Sequence, residues 1–393
     1  MLRLLREKLL RVSTHGGGTS SPTPKTTLLC FTHGNPSPKS ISNISESTPT
    51  DPKSFTVSYL TSSCGLSPEA ALRASKWVTI KTTKNADLVL DFFRNHGFDQ
   101  THIAKVINQQ PMLLKLHVER ILKPKMDFLT RYGFSSSQLI TLVSRDPTIL
   151  TQKQLVPSLE LLKGLIGTQE GVVASIGHSV HVLDPAHHKR LVPNVSALRE
   201  HGVPVSQVSK LIIRSPNVLC LPAFTRFREV VAAVHGMGID PSKTKFVEAV
   251  KTMVGSSKST WDGKFEVYKN LGWSEDEILM VFKRRPTFLA LSEKKIRRGM
   301  EYYTKVLGWE RSYITRYPIL LSYSLEKRVI PRCSVLQVLL SKGLIKKDLK
   351  WSTTLSIKEK LFLERFVTKY KLEAPELMRA YQGTSEFKGV AAI

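Results

Sequence analysis

Basic side chains recur at two fixed places along this chain, and both places could bind phosphate groups. The first lies two residues before a proline that begins a Pro-x-x-Leu sequence. It is occupied by Arg145, Arg214, Arg284 and Arg316. The second lies four residues before another proline or its equivalent, and it is occupied by Arg120, Lys153, Lys189, Lys295 and Lys327. Because lysine and arginine neutralise phosphate oxygens, periodic rows of them predict a surface for nucleic acid.

The two places differ in how well a purely structural role accounts for them. A cation in the last turn of a helix is stabilised by the helix dipole, so the arginines before the proline could serve the dipole or contact phosphate. A cation near a helix start opposes the dipole, which favours a row facing nucleic acid over ordinary solvated surface at the second place. Backbone N–H groups at the same helix starts could hold phosphate oxygens as well.

Further cations lie beside these places, including Arg226, Arg228 and the dense run from Lys294 to Arg298. The candidate nucleic-acid-binding residues are Arg120, Lys123, Lys153, Lys189, Arg190, Arg214, Arg226, Arg228, Arg284, Arg285, Lys294, Lys295, Arg297, Arg298, Arg316, Lys327 and Arg328. No code for reading bases is recognisable among them. Such a set predicts affinity more than sequence choice, because phosphate contacts position a protein whereas base edges specify sequence.

Aromatic side chains offer a second way to contact nucleic acid. Trp261, Tyr302, Tyr303 and Tyr323 would stack on unpaired bases if they were exposed. Aromatic residues at helical spacing more often fill a core, so the core interpretation is favoured for them.

Catalytic chemistry finds little support in the sequence. Asp184 lies within a histidine cluster, but neither an HExxH nor a zinc-finger spacing is present. The histidines of the cluster are His178, His181, His187 and His188. Walker, dinucleotide-binding and nucleophile-elbow motifs are also absent. We therefore expect a protein that is not an enzyme and that uses no cofactor or metal.

The overall charge agrees with a polyanionic partner. The chain has 393 residues, with 58 Lys and Arg against 32 Asp and Glu, which gives a formal net charge of +26. Cys30, Cys64, Cys220 and Cys333 show no CxxC spacing, so neither a disulfide framework nor a cysteine zinc site is predicted and a reducing compartment is favoured. No apolar run approaches the roughly 18 residues of a membrane span, so no membrane insertion is expected.

Residues 1–54 have the composition of an organelle transit peptide. They contain 17 Ser or Thr and seven Lys or Arg against three acidic residues. Leu2, Leu5, Leu9 and Val12 recur at helical spacing among basic residues, as an amphipathic import helix requires. This start favours a mitochondrial destination, and a chloroplast destination is the alternative because the Ser/Thr/Pro-rich remainder suits both. A disordered basic tail without a targeting role is the remaining interpretation.

A period of about 35 residues organises the rest of the chain. Eight glycines mark it, and seven of them precede an apolar residue. These glycines are Gly97, Gly133, Gly167, Gly202, Gly238, Gly272, Gly308 and Gly343. Glycine followed by an apolar residue is typical of a helix C-terminus. Capping boxes begin at Ser135 and Ser274, and Asp99 and Asp240 are further N-caps, so each glycine is predicted to join two helices.

A proline fourteen residues after the glycine ends the first helix of several units. It stands at Pro111, Pro147, Pro216 and Pro286, with Pro318 after a shorter interval. Since the residue before a proline is biased away from helical geometry, the first helix must stop there and a longer second helix follows. The units near His181 and Met253 lack this proline and are interpreted as degenerate.

Units of this length with a recurrent Arg-x-Pro-x-x-Leu turn resemble the mitochondrial transcription termination factor family. The turn occurs at residues 145–150, 214–219, 284–289 and 316–321. Leu122-Lys-Pro-Lys-Met-Asp-Phe-Leu129, before Gly133, resembles the organelle-targeted plant members. The resemblance covers residues 55–381, leaving 382–393 as a tail. It implies an all-α, left-handed superhelical solenoid of about seven to eight helix-turn-helix units with a basic concave groove.

The resemblance also implies a regulator of organellar gene expression. The main hypothesis is a monomer that binds double-stranded DNA in its groove and regulates or terminates transcription, with organellar transcription or splicing proteins as candidate partners. An RNA-binding factor for intron splicing or transcript maturation is the closest alternative. A helical-repeat scaffold for protein interactions is the second alternative, although a neutral partner would leave the positive charge unexplained.

Overall fold

The structure is a computed structural model that describes residues 52–346 and 348–382 and, at Lys258, the backbone only. Every regular element in these residues is helical, which confirms the all-α helical-repeat fold. They form two compact units, one of residues 52–192 and 208–221 and one of residues 193–207, 222–346 and 348–382. The transit segment and the C-terminal tail lie almost entirely outside the described residues, and the domain limits at residues 54 and 381 stay predictions.

The first unit begins with α1 and contains most of the helices that precede Pro222. Its helices are α1 (Pro52–Ser62), α2 (Pro68–Ala74), α3 (Lys84–Asn95), α4 (Gln100–Gln109), α5 (Lys123–Arg131), α6 (Ser136–Arg145), α7 (Leu155–Ile166), α8 (Gln169–His178), α9 (Pro185–Glu200), α10 (Val205–Arg214) and α11 (Asn217–Cys220). The end of α9 and the start of α10 belong to the second unit. Its 3₁₀ turns are Pro111–Lys115, Pro147–Leu150 and Val180–Leu183, and its π turn is Val118–Leu122.

The second unit continues the same alternation of helices and turns. Its further helices are α12 (Phe224–Gly236), α13 (Thr244–Val254), α14 (Lys258–Asn270), α15 (Glu275–Arg284), α16 (Glu293–Glu301), α17 (Arg311–Arg316), α18 (Ile330–Ser341), α19 (Trp351–Ser356), α20 (Glu359–Leu363) and α21 (Leu377–Gln382). Its 3₁₀ turns are Pro286–Ala290 and Pro318–Ser322, and its π turns are Tyr302–Val306, Leu325–Val329 and Glu364–Thr368.

All eight predicted glycines lie in the left-handed backbone region between helices, which confirms their role as helix ends. The residue after the glycine closes the turn, as the N–H of Phe134 donates to the carbonyl of Leu129 at 3.2 Å. Gly65 has a φ of +74° and makes a ninth turn of this kind. The sequence pattern missed it because its distance to Gly97 is shorter than the period.

Helix starts follow the predicted caps with one exception. The capping boxes at Ser135 and Ser274 are both formed, and the Asp99 side chain accepts a hydrogen bond from the N–H of His102 at 2.8 Å. The N-cap prediction for Asp240 is wrong. Its carboxylate accepts from the N–H of Ser242 in a local turn, and α13 begins only at Thr244. This turn delays the helix because the side chain satisfies a loop N–H instead of a helical one.

The proline positions form tight turns whose apolar residues are buried. Pro147, Ile149 and Leu150 illustrate the pattern, in which the proline stops the helix and the following side chains enter the core. The residues after Pro216 form a single α-helical turn, α11, in place of a 3₁₀ turn. Each turn therefore ends one helix and fixes the direction of the next.

The degenerate interpretation is wrong for the unit near His181 and confirmed for the unit near Met253. Val180–Leu183 forms a regular 3₁₀ turn without a proline, because Ser179 is extended and Val180, Val182 and Leu183 are buried. In the other unit, α13 ends at Val254, the capping residue Gly255 has a φ of −71°, and no 3₁₀ turn separates α13 from α14.

In two repeats, a π turn precedes the proline near the start of the second helix. A π turn at Val118–Leu122 precedes Pro124, and another at Leu325–Val329 precedes Pro331. Proline lacks an N–H and its ring clashes with the carbonyl four residues earlier, so the helix widens there. The carbonyls concerned belong to Arg120 and Lys327, both of which are candidate binding residues.

The glycine turn generates a stability prediction with a control in the same helix. Gly167, at the end of α7, has a φ of +95° and open space around its Cα, so only backbone strain opposes a side chain there. We expect Gly167→Ala to lower the free energy of unfolding by about 1–2 kcal/mol. Gly164→Ala, inside α7 with no atom near the added Cβ, should raise it by about 0.5–1 kcal/mol. Urea denaturation of both variants measures the difference, and equal effects would refute the explanation.

Candidate nucleic-acid interface

The candidate binding residues lie at helix ends and turns, where the sequence pattern placed them. Of these seventeen side chains, fourteen are exposed, and Arg285, Lys295 and Arg328 are half-buried. Exposure alone does not make them free to bind a ligand, because several already have partners within the protein. Their contacts separate them into structural and free groups.

One group of candidates donates hydrogen bonds to backbone carbonyls of the following repeat. Arg190 donates to the carbonyl of Leu221 at 2.9 Å, and Lys295 donates to that of Ser322 at 2.6 Å. Arg226 donates to the carbonyl of Val254 at 3.3 Å and to that of Ser256. These carbonyls lie where a helix or turn ends and have no helical partner, so the cations act as caps. A role in phosphate binding would require each of them to release its carbonyl.

The same capping bond occurs in other units with other donors. Asn85 donates to the carbonyl of Leu114 at 2.8 Å, and Lys125 donates to that of Gln152 at 2.9 Å. Arg332 is almost completely buried and donates to the carbonyls of Leu355 at 3.0 Å and Ile357 at 2.7 Å. Its guanidinium also lies over the ring of Phe362, at 4.6 Å from the ring centre. The local sequence pattern does not reveal this bond, because its partners are 23 to 31 residues apart, close to the length of one repeat.

The arginines before the turn proline do not all have the same role. Arg145 donates to the carbonyls of Ile176 at 2.7 Å and Gly177 at 3.0 Å, at the C-terminal end of α8. It therefore complements the dipole of a neighbouring helix. Arg214, Arg284 and Arg316 are exposed and have no side-chain partner among the described residues, so the phosphate-contact alternative still applies to them.

Three candidates are held in exposed ion pairs. Lys123 pairs with Glu119 at 3.0 Å, and Arg297 pairs with Glu293 at 2.8 Å. Arg298 pairs with Glu326 at 2.6 Å. Exposed pairs of this kind contribute little stability and are weakened by salt, so a phosphate can compete for these cations.

Glu326 lies in a cavity of about 270 Å³ and is the only acidic residue in its lining, which combines basic and hydroxyl side chains with leucines. Lys294, Arg298, Tyr323 and Ser324 are among the residues that line it. Hydrogen bonding from its own backbone N–H and the charge of Arg298 lower the pKa of Glu326, so this carboxylate is ionised at neutral pH. An anionic ligand that entered the cavity would therefore be repelled by Glu326 unless it displaced this side chain.

Two further arginines lie over aromatic rings. The guanidinium of Arg328 is 4.8 Å from the ring centre of Tyr323, and that of Arg228 is 5.9 Å from that of Phe224. Arg285 is half-buried, and its Nε is buried without a hydrogen-bond partner among the described residues. These arginines have part of their charged group held against the protein.

The remaining candidates are exposed and have no side-chain partner among the described residues. The free cations are Arg120, Lys153, Lys189, Arg214, Arg284, Lys294, Arg316 and Lys327. Four belong to each compact unit. With the exception of Lys294, which adjoins one, they occupy the two repeating positions that the sequence defines.

Comparison with known protein families identifies the repeats that carry these contacts. A family model described as mTERF matches residues 90–252 and residues 153–363, which together span more than half of the chain. The chain belongs to the mTERF family. The resemblance inferred from the Arg-x-Pro-x-x-Leu turns is thereby confirmed.

Two Arabidopsis thaliana proteins are similar to this mTERF chain. One is named transcription termination factor MTERF8, chloroplastic, and is 22% identical over 228 residues, covering 57% of this chain and 45% of the relative. The other is named transcription termination factor MTEF18, mitochondrial, and is 19% identical over 274 residues, covering 70% of this chain and 47% of the relative. The chain therefore spans somewhat less than half the length of either curated relative.

Aromatic residues of the mTERF repeats are mostly core, as the sequence favoured. Trp261, Tyr302 and Tyr303 are buried, so stacking on bases is excluded for them in this conformation. The Tyr303 hydroxyl donates to the carbonyl of Leu320 at 2.9 Å, and the Tyr268 hydroxyl makes the same bond to Phe288 at 3.3 Å one repeat earlier. Tyr323 is half-buried beneath Arg328. Burial raises the pKa of Tyr268 and Tyr303, so both hydroxyls remain donors.

The histidine cluster makes local contacts in the turn that precedes α9. The ring of His187 contacts the carbonyl of His181 at 2.9 Å, and that of His188 contacts the carbonyl of Val182 at 2.8 Å. Within the described residues, no group of three or more His, Cys, Asp or Glu is arranged to hold a metal ion. The rings thus have structural partners in the turn.

Cys64, Cys220 and Cys333 are buried free thiols. Burial raises the pKa of Cys64 and Cys220 to about 12, so both are protonated at neutral pH. None of the helices that the structure describes has the length and apolar content needed to cross a lipid bilayer.

Adjacent lysines provide a test of the capping bond. Lys295→Met keeps the aliphatic stem but leaves the Ser322 carbonyl unpaired, and we expect the free energy of unfolding to fall by about 1 kcal/mol. Lys294→Met is the control, since Lys294 is exposed without a partner among the described residues, and its effect should stay within about 0.5 kcal/mol. Urea denaturation followed by circular dichroism measures both. A larger loss at Lys294 would contradict the assignment.

Proposed function

We propose that this chain is a nucleic-acid-binding regulator of organellar gene expression, which binds double-stranded DNA and regulates or terminates transcription. The observation that carries the proposal is a set of eight exposed cations without a side-chain partner among the described residues, seven of which occupy the repeating positions. A nucleic-acid backbone carries negative charges at regular spacing, so cations that recur along a repeat protein are complementary to it. The formal net charge of +26 supports the same partner.

Phosphate contacts of this type predict binding that is steep in salt and weak in sequence preference. Neutralising a phosphate of duplex DNA releases counterions, and each contact adds about −0.9 to the slope of log affinity against log salt. Eight such contacts would give a slope of about −7. Any choice of sequence would then come from the shape and deformability of the duplex more than from its base edges.

The relatives support the proposed setting. Both are named as transcription termination factors, one chloroplastic and one mitochondrial. For this chain we propose action in the mitochondrion, because basic residues surround an apolar helical pattern at Leu2, Leu5, Leu9 and Val12. A chloroplast destination is the alternative.

The central test compares two sets of charge-removing variants of the full chain. The test variant neutralises free cations of the second unit by Arg284→Gln, Lys294→Gln, Arg316→Gln and Lys327→Gln. The control neutralises four ion-paired cations outside the candidate set by Arg94→Gln, Lys269→Gln, Lys305→Gln and Lys342→Gln. Both lose the same formal charge. We expect the test variant to reduce the salt slope for duplex DNA by about 3–4 and the control by less than about 1.

Fluorescence anisotropy across a salt series measures these slopes with duplex DNA, single-stranded RNA and duplex RNA. Tighter binding to duplex DNA by the wild type supports a role in transcription. Tighter binding to RNA would contradict that preference and favour intron splicing or transcript maturation. Failure to bind any of the three nucleic acids at moderate salt would refute the proposal and leave the protein-interaction scaffold.

Removing the charge of Glu326 is expected to strengthen binding to duplex DNA. Glu326→Gln removes the charge that holds Arg298 and that faces an incoming phosphate in the cavity. We expect affinity for duplex DNA to rise about two- to fivefold, with a steeper salt slope, because one more cation is released. Glu301→Gln is the control, as it frees Lys305 outside this cavity. Equal effects of the two variants would show that only net charge matters.

A further inference from the structure

Trp77 is the most exposed large aromatic side chain in the described residues. Its exposed fraction is 74%, whereas Trp261, Trp273 and Trp351 are exposed by 9% or less. Tryptophan is highly buried on average because its ring has a large apolar surface. The Trp77 ring has no ring contact or side-chain hydrogen bond with any other described residue. A solvent-facing tryptophan of this kind is available to a ligand.

The backbone holds Trp77 outward on an anchored segment. A turn follows α2, in which the N–H of Trp77 donates to the carbonyl of Ala74 at 2.9 Å. The next residues alternate, with Val78 and Ile80 buried and Thr79 exposed. The N–H of Ile80 donates to the hydroxyl of Thr56 at 2.9 Å, which ties the segment to α1. Because Val78 and Ile80 are buried on one side of this segment, the Trp77 side chain faces solvent from a segment that is anchored to α1.

The exposed charged residues that flank Trp77 in the sequence are mostly basic. Between Pro68 and Lys84 the exposed charged residues are Glu69 and four cations. The cations are Arg73, Lys76, Lys81 and Lys84. None of these four has an ion-pair or hydrogen-bond partner for its side chain among the described residues. The ring is therefore accompanied by charges that favour an anionic ligand.

We propose that Trp77 and the cations around it form a binding site for single-stranded nucleic acid, in which the ring stacks on an unpaired base. An aromatic ring provides a platform for any base, and nearby lysine and arginine follow the backbone of a single strand. Bases within a duplex are stacked on each other and offer no free face to the ring. The site rests on the proposed function, since it adds a second contact to a nucleic-acid-binding protein.

A protein partner fits the same surface less well. Tryptophan and arginine are enriched at protein interfaces, but lysine is depleted there. Three of the four cations around Trp77 are lysines. This composition favours phosphate groups as the ligand.

The experiment measures binding of the full chain to labelled oligothymidylate, oligouridylate and duplex DNA by anisotropy. Trp77→Ala should weaken binding to the single strands by about 5- to 100-fold and leave duplex affinity within about twofold. Trp77→Phe should retain most of the affinity because it keeps a ring. Leu88→Ala is the control, since Leu88 is 55% exposed in the same unit but lies beside Asp87 and Asp91. It should bind like the wild type.

Tryptophan emission gives a second readout that does not depend on a loss of affinity. Single strands should quench the emission of the wild type, and this quenching should be absent in Trp77→Phe. Unchanged single-strand binding in Trp77→Ala, with duplex binding intact, would overturn the proposal. Failure of the wild type to bind either form would instead refute the proposed function itself. The two failures are therefore distinguishable.

Discussion

Successive helix-turn-helix repeats of this protein are joined by hydrogen bonds that a side chain of one repeat donates to backbone carbonyls of the next. Helix and turn ends leave carbonyl groups unpaired, and in a repeat structure the neighbouring unit is their nearest source of donors. Asn85, Arg190, Arg226, Lys295 and Arg332 each provide such a donor. These bonds constrain how the second helix of one repeat lies against the following turn.

The same constraint divides the positive charge of the chain. A cation that caps a carbonyl is held against the protein, whereas its neighbour along the helix points elsewhere and stays in solvent. Lys189 is free beside Arg190, and Lys294 is free beside Lys295. Adjacent residues of the same charge therefore have different roles, one in folding and one in the proposed phosphate contact. The charge available to a ligand is smaller than the formal +26 of the chain.

Membership of the mTERF family accounts for the repeat, while exposure and pairing of particular side chains carry the proposals on binding. Free cations at repeating positions match a phosphate backbone and carry no information on strandedness. Trp77 adds a different chemistry, because a stacked ring requires an unpaired base. Glu326 opposes phosphate contacts in its own cavity by placing an anion beside basic side chains. Affinity, strand preference and restraint of binding thus depend on separate residues and can be altered separately.

The sequence alone determined the helical class, the period, the glycine turns, the capping boxes at Ser135 and Ser274, and the excess of positive charge. These features depend on backbone preferences and contacts within a few residues, so a linear pattern contains them. Only the tertiary structure decided that Lys295 caps a carbonyl while Lys294 is free, that Tyr303 is core, and that a turn forms at Val180–Leu183 without proline. The physical reason is distance along the chain. Burial and pairing of these side chains depend on partners in another helix, which the local pattern does not specify.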